Sequence, residues 1–552
     1  MHKFIIKSSA ICWMLFLSHT MVFAQTGNTL YGNEAGMSIT TADSCTLVGS
    51  GAGKNVTTGS FSSFLGAKAG ESNTNSTDNI FIGFRAGTSG TGFSDNVVIG
   101  ARAGTSMQSG AASDLVFIGN EAGRFTTTGA DNVFIGQEAG RFNTTGNRHV
   151  FIGEDAGYNN TTGDDNTFIG RWAGKGNTTG SHNTFVGGQA AVNGLHSNIG
   201  YAAGEDNKTG WYNSCLGAGA GGDMGEADGN TMVGFAAGHN TEYASQCTFV
   251  GANAGWDNNR TNDRNNAARN TYIGYDTGSA NREGEDNVGM GAWANFETNG
   301  VSGNKNNRNV FMGASAVLDG NDIITIGYGA NIDANNSIAI GSNTFIDNNN
   351  SVAIGHQASV TPAQSIAIGA ESNVTGTNSI AIGYQVSVTA ANKVYVGNDA
   401  MSTIGGVVNW TATSDGRFKY DVRADVPGLD FINRLRPVTY HFDARKLLTF
   451  HHDCTEDLEA AFAEKENTRY TGFIAQEVEE AAKQCGYEFS GVDVPQNENE
   501  VYGLRYAEFN VPLTKAVQEL DQKLNKHQAD LDQILATVKM QQEQITSLSI
   551  PK

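Results

Sequence analysis

Few residues in this 552-residue chain are of types and spacings that do chemistry by themselves. His451-His452-Asp453-Cys454 sets four potential metal ligands in a row. Adjacent residues seldom aim at one ion, and zinc ligands are spaced so that they converge. The run reads as a solvated loop within an insertion. Asp164-Asp165-Asn166 offers oxygen donors for calcium. It lacks the Gly-Gly-x-Gly-x-Asp nonapeptide of calcium-binding rolls. No metal and no cofactor is expected. Cys45, Cys215, Cys247, Cys454 and Cys485 are odd in number and scattered, which is not a disulfide framework. Most read as small buried hydrophobes of a repeat core. No carboxylate pair recurs as a glycosidase site would require. A net charge of −21 argues against nucleic acid held through its phosphates. There remains Ser414-Asp415-Gly416-Arg417-Phe418-Lys419, whose reading depends on the elements around it.

Those elements begin with a repeat. Glycine supplies 70 residues, well above the usual share of about 7%. Proline supplies only 6, and all but Pro362 lie at Pro427 or beyond. Collagen is excluded, because glycine does not fall at every third position. A glycine closing a Φ-Gly step recurs every 17 residues at Gly32, Gly49, Gly66, Gly83 and Gly100. It resumes at the same period from Gly119 to Gly187 and from Gly200 to Gly251. From Gly313 to Gly397 the period is 14. A long unit such as Asp131 to Gly146 holds one short strand (Val133 to Ile135), an Ala-Gly corner and an Asn-Thr-Thr-Gly turn. Such a unit is one coil of a β-solenoid, stable only against its neighbours. Lack of proline fits, since each coil needs its N–H groups for the ladder. The short unit is Ser351-Val352-Ala353-Ile354-Gly355, where large and small residues alternate across the strand. Ile135, Ile152, Ile169, Ile354 and Ile368 are expected to point inward.

The N-terminus reads as an export signal. Lys3 and Lys7 precede an apolar run from Ala10 to Phe23, and Val22-Phe23-Ala24 offers a small-residue cleavage site before Gln25. The run is short for a membrane span, and no other segment reads as one. Cys12 lacks the preceding small residue of a lipoprotein signal.

The 14-residue stretch, roughly Asn309 to Asn398, resembles the left-handed β-roll heads of trimeric autotransporter adhesins, with their Ser-Val-Ala-Ile-Gly-like motif. The 17-residue part is a looser relative. No autotransporter-type membrane barrel is expected at the C-terminus, so that end is not read as a translocation pore. The resemblance implies a homotrimer.

After about Gly406 proline returns, charge rises and the period ends. A small α+β region is expected, with a helix over 428–435, strands over 438–442 and 470–474, and a helix over 476–484. Four blocks appear in order: Ser414 to Lys419, Leu435-Arg436-Pro437-Val438-Thr439-Tyr440, Gly472-Phe473-Ile474-Ala475-Gln476-Glu477-Val478, and Tyr506 with Ala516-Val517-Gln518-Glu519-Leu520. They resemble the intramolecular chaperone domain of endosialidase tailspikes and phage tail fibres, a self-cleaving serine peptidase family. That resemblance implies a Ser414/Lys419 catalytic dyad, with Asp415 and Arg417 as supporting motif residues, and a cut at a peptide bond beside Ser414, with Thr413 and Ser414 as the cleavage-site residues. The chemistry is sound. A serine hydroxyl needs a neighbouring base, and a lysine is a base only when burial keeps it neutral. A tethered peptide bond needs no substrate binding, so folding itself sets the attack geometry. One turnover per chain follows.

Val517, Leu524, Leu531, Val538 and Ile545 occupy one heptad position, and Leu520, His527, Ile534, Gln541 and Leu548 the other. This is a coiled-coil seam with polar layers at His527 and Gln541. The expected organisation is a signal peptide (1–24), 17-residue coils (25–300), a 14-residue roll (301–405), a chaperone and autoprotease domain (406–510) and a trimeric coiled coil (511–552). The fold class is mainly β, a long β-solenoid followed by a small α+β domain and a helix. The expected function is a secreted or cell-surface trimeric fibre, adhesin-like, with a single-turnover serine autoprotease. Its binding partner would be a surface glycan or a host or cell-surface ligand. The alternatives are a polysaccharide-degrading spike enzyme and an uncleaved surface structural protein.

Overall fold

The computed structural model describes residues 27–108, 112–190, 196–207, 210–259, 266–297, 306–451 and 459–548. The expected signal peptide, Cys12, Cys454, His452 and Asp453 lie outside them. The described residues form two compact units that divide between Ala363 and Gln364.

The first unit is a β-solenoid. Each coil contributes a strand of about three residues, paired parallel and in register with the next: Val133 faces Val150, Phe134 faces Phe151 and Ile135 faces Ile152. The strand centre points inward. Phe117, Phe134, Phe151, Phe168 and Phe185 are fully buried. Their rings stack coil on coil, Phe134 on Phe151 at 4.9 Å and Phe151 on Phe168 at 4.7 Å. Burying each is worth about 1.5–3 kcal/mol. A buried alanine such as Ala139 fills the opposite wall. Threonines lock the turns, Thr144 Oγ1 donating to the Thr161 carbonyl at 2.9 Å and Thr161 Oγ1 to that of Thr178 at 2.9 Å. The marker glycine is required. Gly136 sits at φ +138, and a Cβ there would strike the Gly153 carbonyl.

This corrects the expected facing. Ile135, Ile152 and Ile354 are half-buried, while Ile169 and Ile368 are 36% and 37% exposed. Phe134, Phe151, Phe168, Ala353 and Ala367 occupy the core in their place. Period-two alternation identifies two faces without saying which is inside. A single coil is too narrow for two large residues from one strand, so the strand centre goes in and the flanking aliphatics go out. The outward Val and Ile form an apolar stripe along the coils.

A second parallel sheet starts at Asn295–Phe296, ahead of the 14-residue coils, and continues through them in this unit as Val317–Asp319, Asn331–Asp333, Phe345–Ile346 and Ser359–Val360. Its buried Leu318, Ile332, Ile346 and Val360 supply the volume lost where phenylalanine gives way to Ala339 and Ala353. Asparagine columns continue as serine columns: Asn183 N–H donates to Asn166 Oδ1 at 2.9 Å, and Ser351 N–H to Ser337 Oγ at 3.2 Å. Cys45, Cys215 and Cys247 are buried in the 17-residue coils as small hydrophobes.

The second unit begins with the last coils, strands Ile366–Ile368, Ile380–Ile382 and Val394–Val396. An irregular segment follows. Helix Leu429–Ile432 then precedes strand Val438–His441, which pairs antiparallel with Arg469–Gly472. Helix Ala475–Gln484 lays Val478, Ala481 and Ala482 against Phe431 and Phe509. The four elements expected here are present. Helices Ala444–Phe450 and Glu459–Asn467 and the pair Val492–Asp493 with Gly503–Leu504 were not anticipated. Cys485 is half-buried in this core rather than in the repeats. One helix, Asn510–Leu548, runs 39 residues. It admits Pro512 because the first N–H groups of a helix have no partner to lose. Its seam residues Val517, Leu520, Leu524, Leu531, Ile534, Val538, Ile545 and Leu548 are all exposed in the single chain. Among the described residues no helix is long and apolar enough to cross a membrane.

Candidate functional site

The segment from Ser414 to Lys419 is a turn built by its own side chains. Asp415 caps the short 3-10 helix Gly416–Phe418, its Oδ1 accepting the Arg417 N–H at 2.9 Å. The Arg417 guanidinium folds back on Asp415 Oδ2 at 2.9 and 2.6 Å. Its side-chain and backbone hydrogen bonds hold the Asp415 carboxyl below the usual carboxylate range. This turn returns the chain so that Lys419 Nζ lies 2.7 Å from Ser414 Oγ. That is proton-transfer distance. Asp415 and Arg417 touch neither the Ser414 hydroxyl nor the Lys419 amine by any bond seen here; they shape the loop that joins them.

Both ends of the pair are exposed. The surrounding chain is apolar and equally bare. Val407, Val408, Trp410, Phe418, Tyr420 and Val422 are between 76% and 104% exposed. Six large apolar residues are thus exposed within one irregular segment of the single chain. The sequence reading missed them, although their clustering beside the Ser414 motif was a visible signal.

The other sequence blocks are tied to one another in the folded part of the domain. Arg436 reaches Glu477 in a two-pronged ion pair, with Nε to Oε2 at 3.0 Å, tying the second block to the third. Tyr506 Oη accepts the Phe473 N–H at 3.2 Å, tying the third to the fourth. Gly472 is needed there, because a Cβ would run into that hydroxyl. Glu519 Oε2 accepts the Leu429 N–H at 2.8 Å and so caps the first helix from the long one.

Of the residues considered as metal ligands, Asp164, Asp165, Asn166 and His451 are among those described. Asp165 binds Arg148 through both oxygens at 2.6 and 2.9 Å, and Asp164 Oδ1 accepts the Asn147 N–H at 2.8 Å. Asn166 is buried in the internal column. His451 closes helix Ala444–Phe450, with Nδ1 2.8 Å from Asp399 Oδ2.

Comparison with known proteins matches residues 414–487 to the Peptidase_S74 family, the chaperone of endosialidase. Residues 348–372 and 363–385 match two copies of the YadA head domain repeat. A search of curated proteins found no match. The head repeats precede the chaperone match, as the sequence resemblances imply, and together they support a trimeric fibre- or adhesin-like protein.

Proposed function

We propose that this chain is exported, assembles as a homotrimeric fibre, and removes its C-terminal chaperone by cutting between Thr413 and Ser414. The observation that carries this reading is the Lys419–Ser414 contact of 2.7 Å inside a self-built turn. Lys419, once neutral, takes the Ser414 Oγ proton. The oxygen attacks the Thr413 carbonyl carbon. The tetrahedral adduct collapses as the carbon–nitrogen bond breaks and the lysine returns the proton to the leaving Ser414 nitrogen. Thr413 is then esterified to Ser414 Oγ, and water hydrolyses the ester to a Thr413 carboxylate and a free Ser414 amine.

Assembly supplies what the single chain lacks. Burial is what makes a lysine a base, and in one chain the pair stands in water. Three surfaces are bare together: the aliphatic stripe of the coils, the segment around Trp410 and Tyr420, and the seam of helix Asn510–Leu548. A second and third copy would cover all three. The helix seam would join the chains first and set their register, a real need when identical coils can pair out of step. Cleavage would then remove the template and leave a fibre whose stability is kinetic. Lys3, Lys7 and the apolar run after them support export, and a surface glycan or another cell-surface ligand is the expected target. Among the described residues each coil runs directly to the next without an inserted domain, which gives the spike-enzyme alternative no support.

The test is denaturing gel analysis of the purified chain. Wild type should give fragments 25–413 and 414–552, and Ser414→Ala and Lys419→Ala a single full-length band. Cleavage that survives Ser414→Ala rejects the dyad.

A further inference from the structure

The second unit holds a contact that the sequence motifs did not suggest. It lies between the last coil, ahead of the cut, and the chaperone domain, behind it. Lys393 Nζ donates to Asp493 Oδ2 at 2.8 Å. Lys465 Nζ donates to the backbone carbonyls of Asp399 at 2.6 Å and Met401 at 3.3 Å. His451 Nδ1 lies 2.8 Å from Asp399 Oδ2. All four bonds cross the Thr413–Ser414 position in the chain. The polarity is crossed as well: the coil presents a cation at Lys393, which meets Asp493, and oxygen acceptors at Asp399 and Met401, which meet Lys465 and the His451 ring. Such a pattern fixes one orientation and rejects others.

These groups are not ordinary surface ion pairs. The Lys393 side chain is only 14% exposed, and the His451 and Asp399 side chains 25% and 22%. The hydrogen bond from Lys393 holds its own ammonium charged, raising its pKa. Lys465 also lies over the Phe442 ring at 5.2 Å. Yet the junction is not a sealed apolar core. A cavity of about 340 Å³ runs through it, lined in part by Tyr395, Asp399, Leu447, Phe450, His451 and Glu500. Polar contacts round a cavity make a reversible joint, held by charge rather than by buried apolar area.

We infer that the excised domain does not fall away when the chain is cut: it stays seated on the last coil as an ionic cap, released when its salt links are screened. The seat is the end of the repeat: Val394–Val396 is the last of the coil strands, and its three residues stay exposed with the domain in place, so the joint rests on the flanking Lys393 and Asp399. In a trimer, three joints act together through the helix that links the domains, so a weak joint per chain becomes a firm one per assembly. The inference takes its occasion from the cleavage proposed above, but the joint itself does not depend on it.

The test therefore supplies the cut from outside. In full-length Ser414→Ala protein, a site-specific protease sequence is inserted between Gly405 and Gly406, in the irregular segment ahead of Val407. After digestion, size-exclusion chromatography at pH 7 is run at about 10 mM and about 1 M salt, where charges are felt over roughly 30 Å and 3 Å. The two fragments should elute together at low salt and apart at high salt. Lys393→Met combined with Asp399→Ala leaves the sequence of the excised domain untouched and should separate the fragments at low salt. Separation of the unmodified fragments at low salt overturns the inference. So does co-elution at high salt, or co-elution of the doubly substituted protein as firm as that of its parent. Whether Ser414 cuts the natural chain is read separately, on the gel described above.

Discussion

The column that carries Asn132, Asn166 and Asn183 carries His149 in the coil between the first two, and that substitution has a price in acid. The ring is fully buried. It stacks on Phe151 at 4.6 Å, and its Nδ1 accepts the Asn166 N–H at 3.1 Å as an asparagine oxygen would. Burial lowers its pKa from 6.5 to about 4, against smaller opposing effects of the Gly163 carbonyl and nearby Asp164. The unfolded chain thus takes up a proton before the folded one. Stability is complete above about pH 6.5 and is lost as pH falls from there toward 4. At about 1.4 kcal/mol per pH unit, the loss reaches roughly 2.5 kcal/mol per chain by pH 4.5. His149→Asn restores the column without this burden. Thermal melting of wild type and His149→Asn at pH 7.5 and pH 4.5 measures it. Other titrating groups are common to both proteins and cancel in the comparison. The wild-type midpoint should fall further on acidification than the variant's. Equal falls would refute the reasoning.

Phe151→Ala should cost about 3–5 kcal/mol by opening a cavity in the ring stack, read as a lower melting midpoint, whereas Phe151→Leu should cost much less. Ile152→Asp, on the outward face, should leave the coil folded by circular dichroism but block trimer formation in sedimentation. Asp415→Ala should slow cleavage without abolishing it, because it loosens the turn and leaves Ser414 and Lys419 in place; a time course on gels distinguishes this from complete loss. A peptide spanning 507–552 should sediment as a trimer, and His527→Ile should raise its melting temperature by removing a polar layer from the seam; a monomer would reject the seam.

The repeats were legible because a solenoid writes its geometry into spacing. Gly136 and its counterparts mark the point where backbones touch, and no other residue fits there. The facing of the strands was not legible from Val352-Ala353-Ile354, since alternation is symmetric and the decision rests on coil width. In the C-terminal domain, helix Ala475–Gln484 could be read from its apolar face, while the apolar residues of Glu459–Asn467 do not gather on one side and gave no such signal. The Ser414–Lys419 pair was readable as a resemblance only. The physical reason for their meeting, the Asp415–Arg417 clasp, needs coordinates. The Lys393–Asp493 bond joins residues 100 positions apart, and nothing local predicts it.

The central claim is that assembly switches on the cut at Ser414. The most direct measurement is intact mass and N-terminal sequencing of the wild-type chain beside a Leu531→Asp/Ile534→Asp chain whose helix seam cannot close. The account predicts that wild type is trimeric and ends in Thr413, with a second fragment beginning at Ser414, and that the seam variant stays monomeric and uncut. An uncut wild-type trimer, a cut at another bond, or a monomeric variant that cleaves as fully as wild type would contradict it.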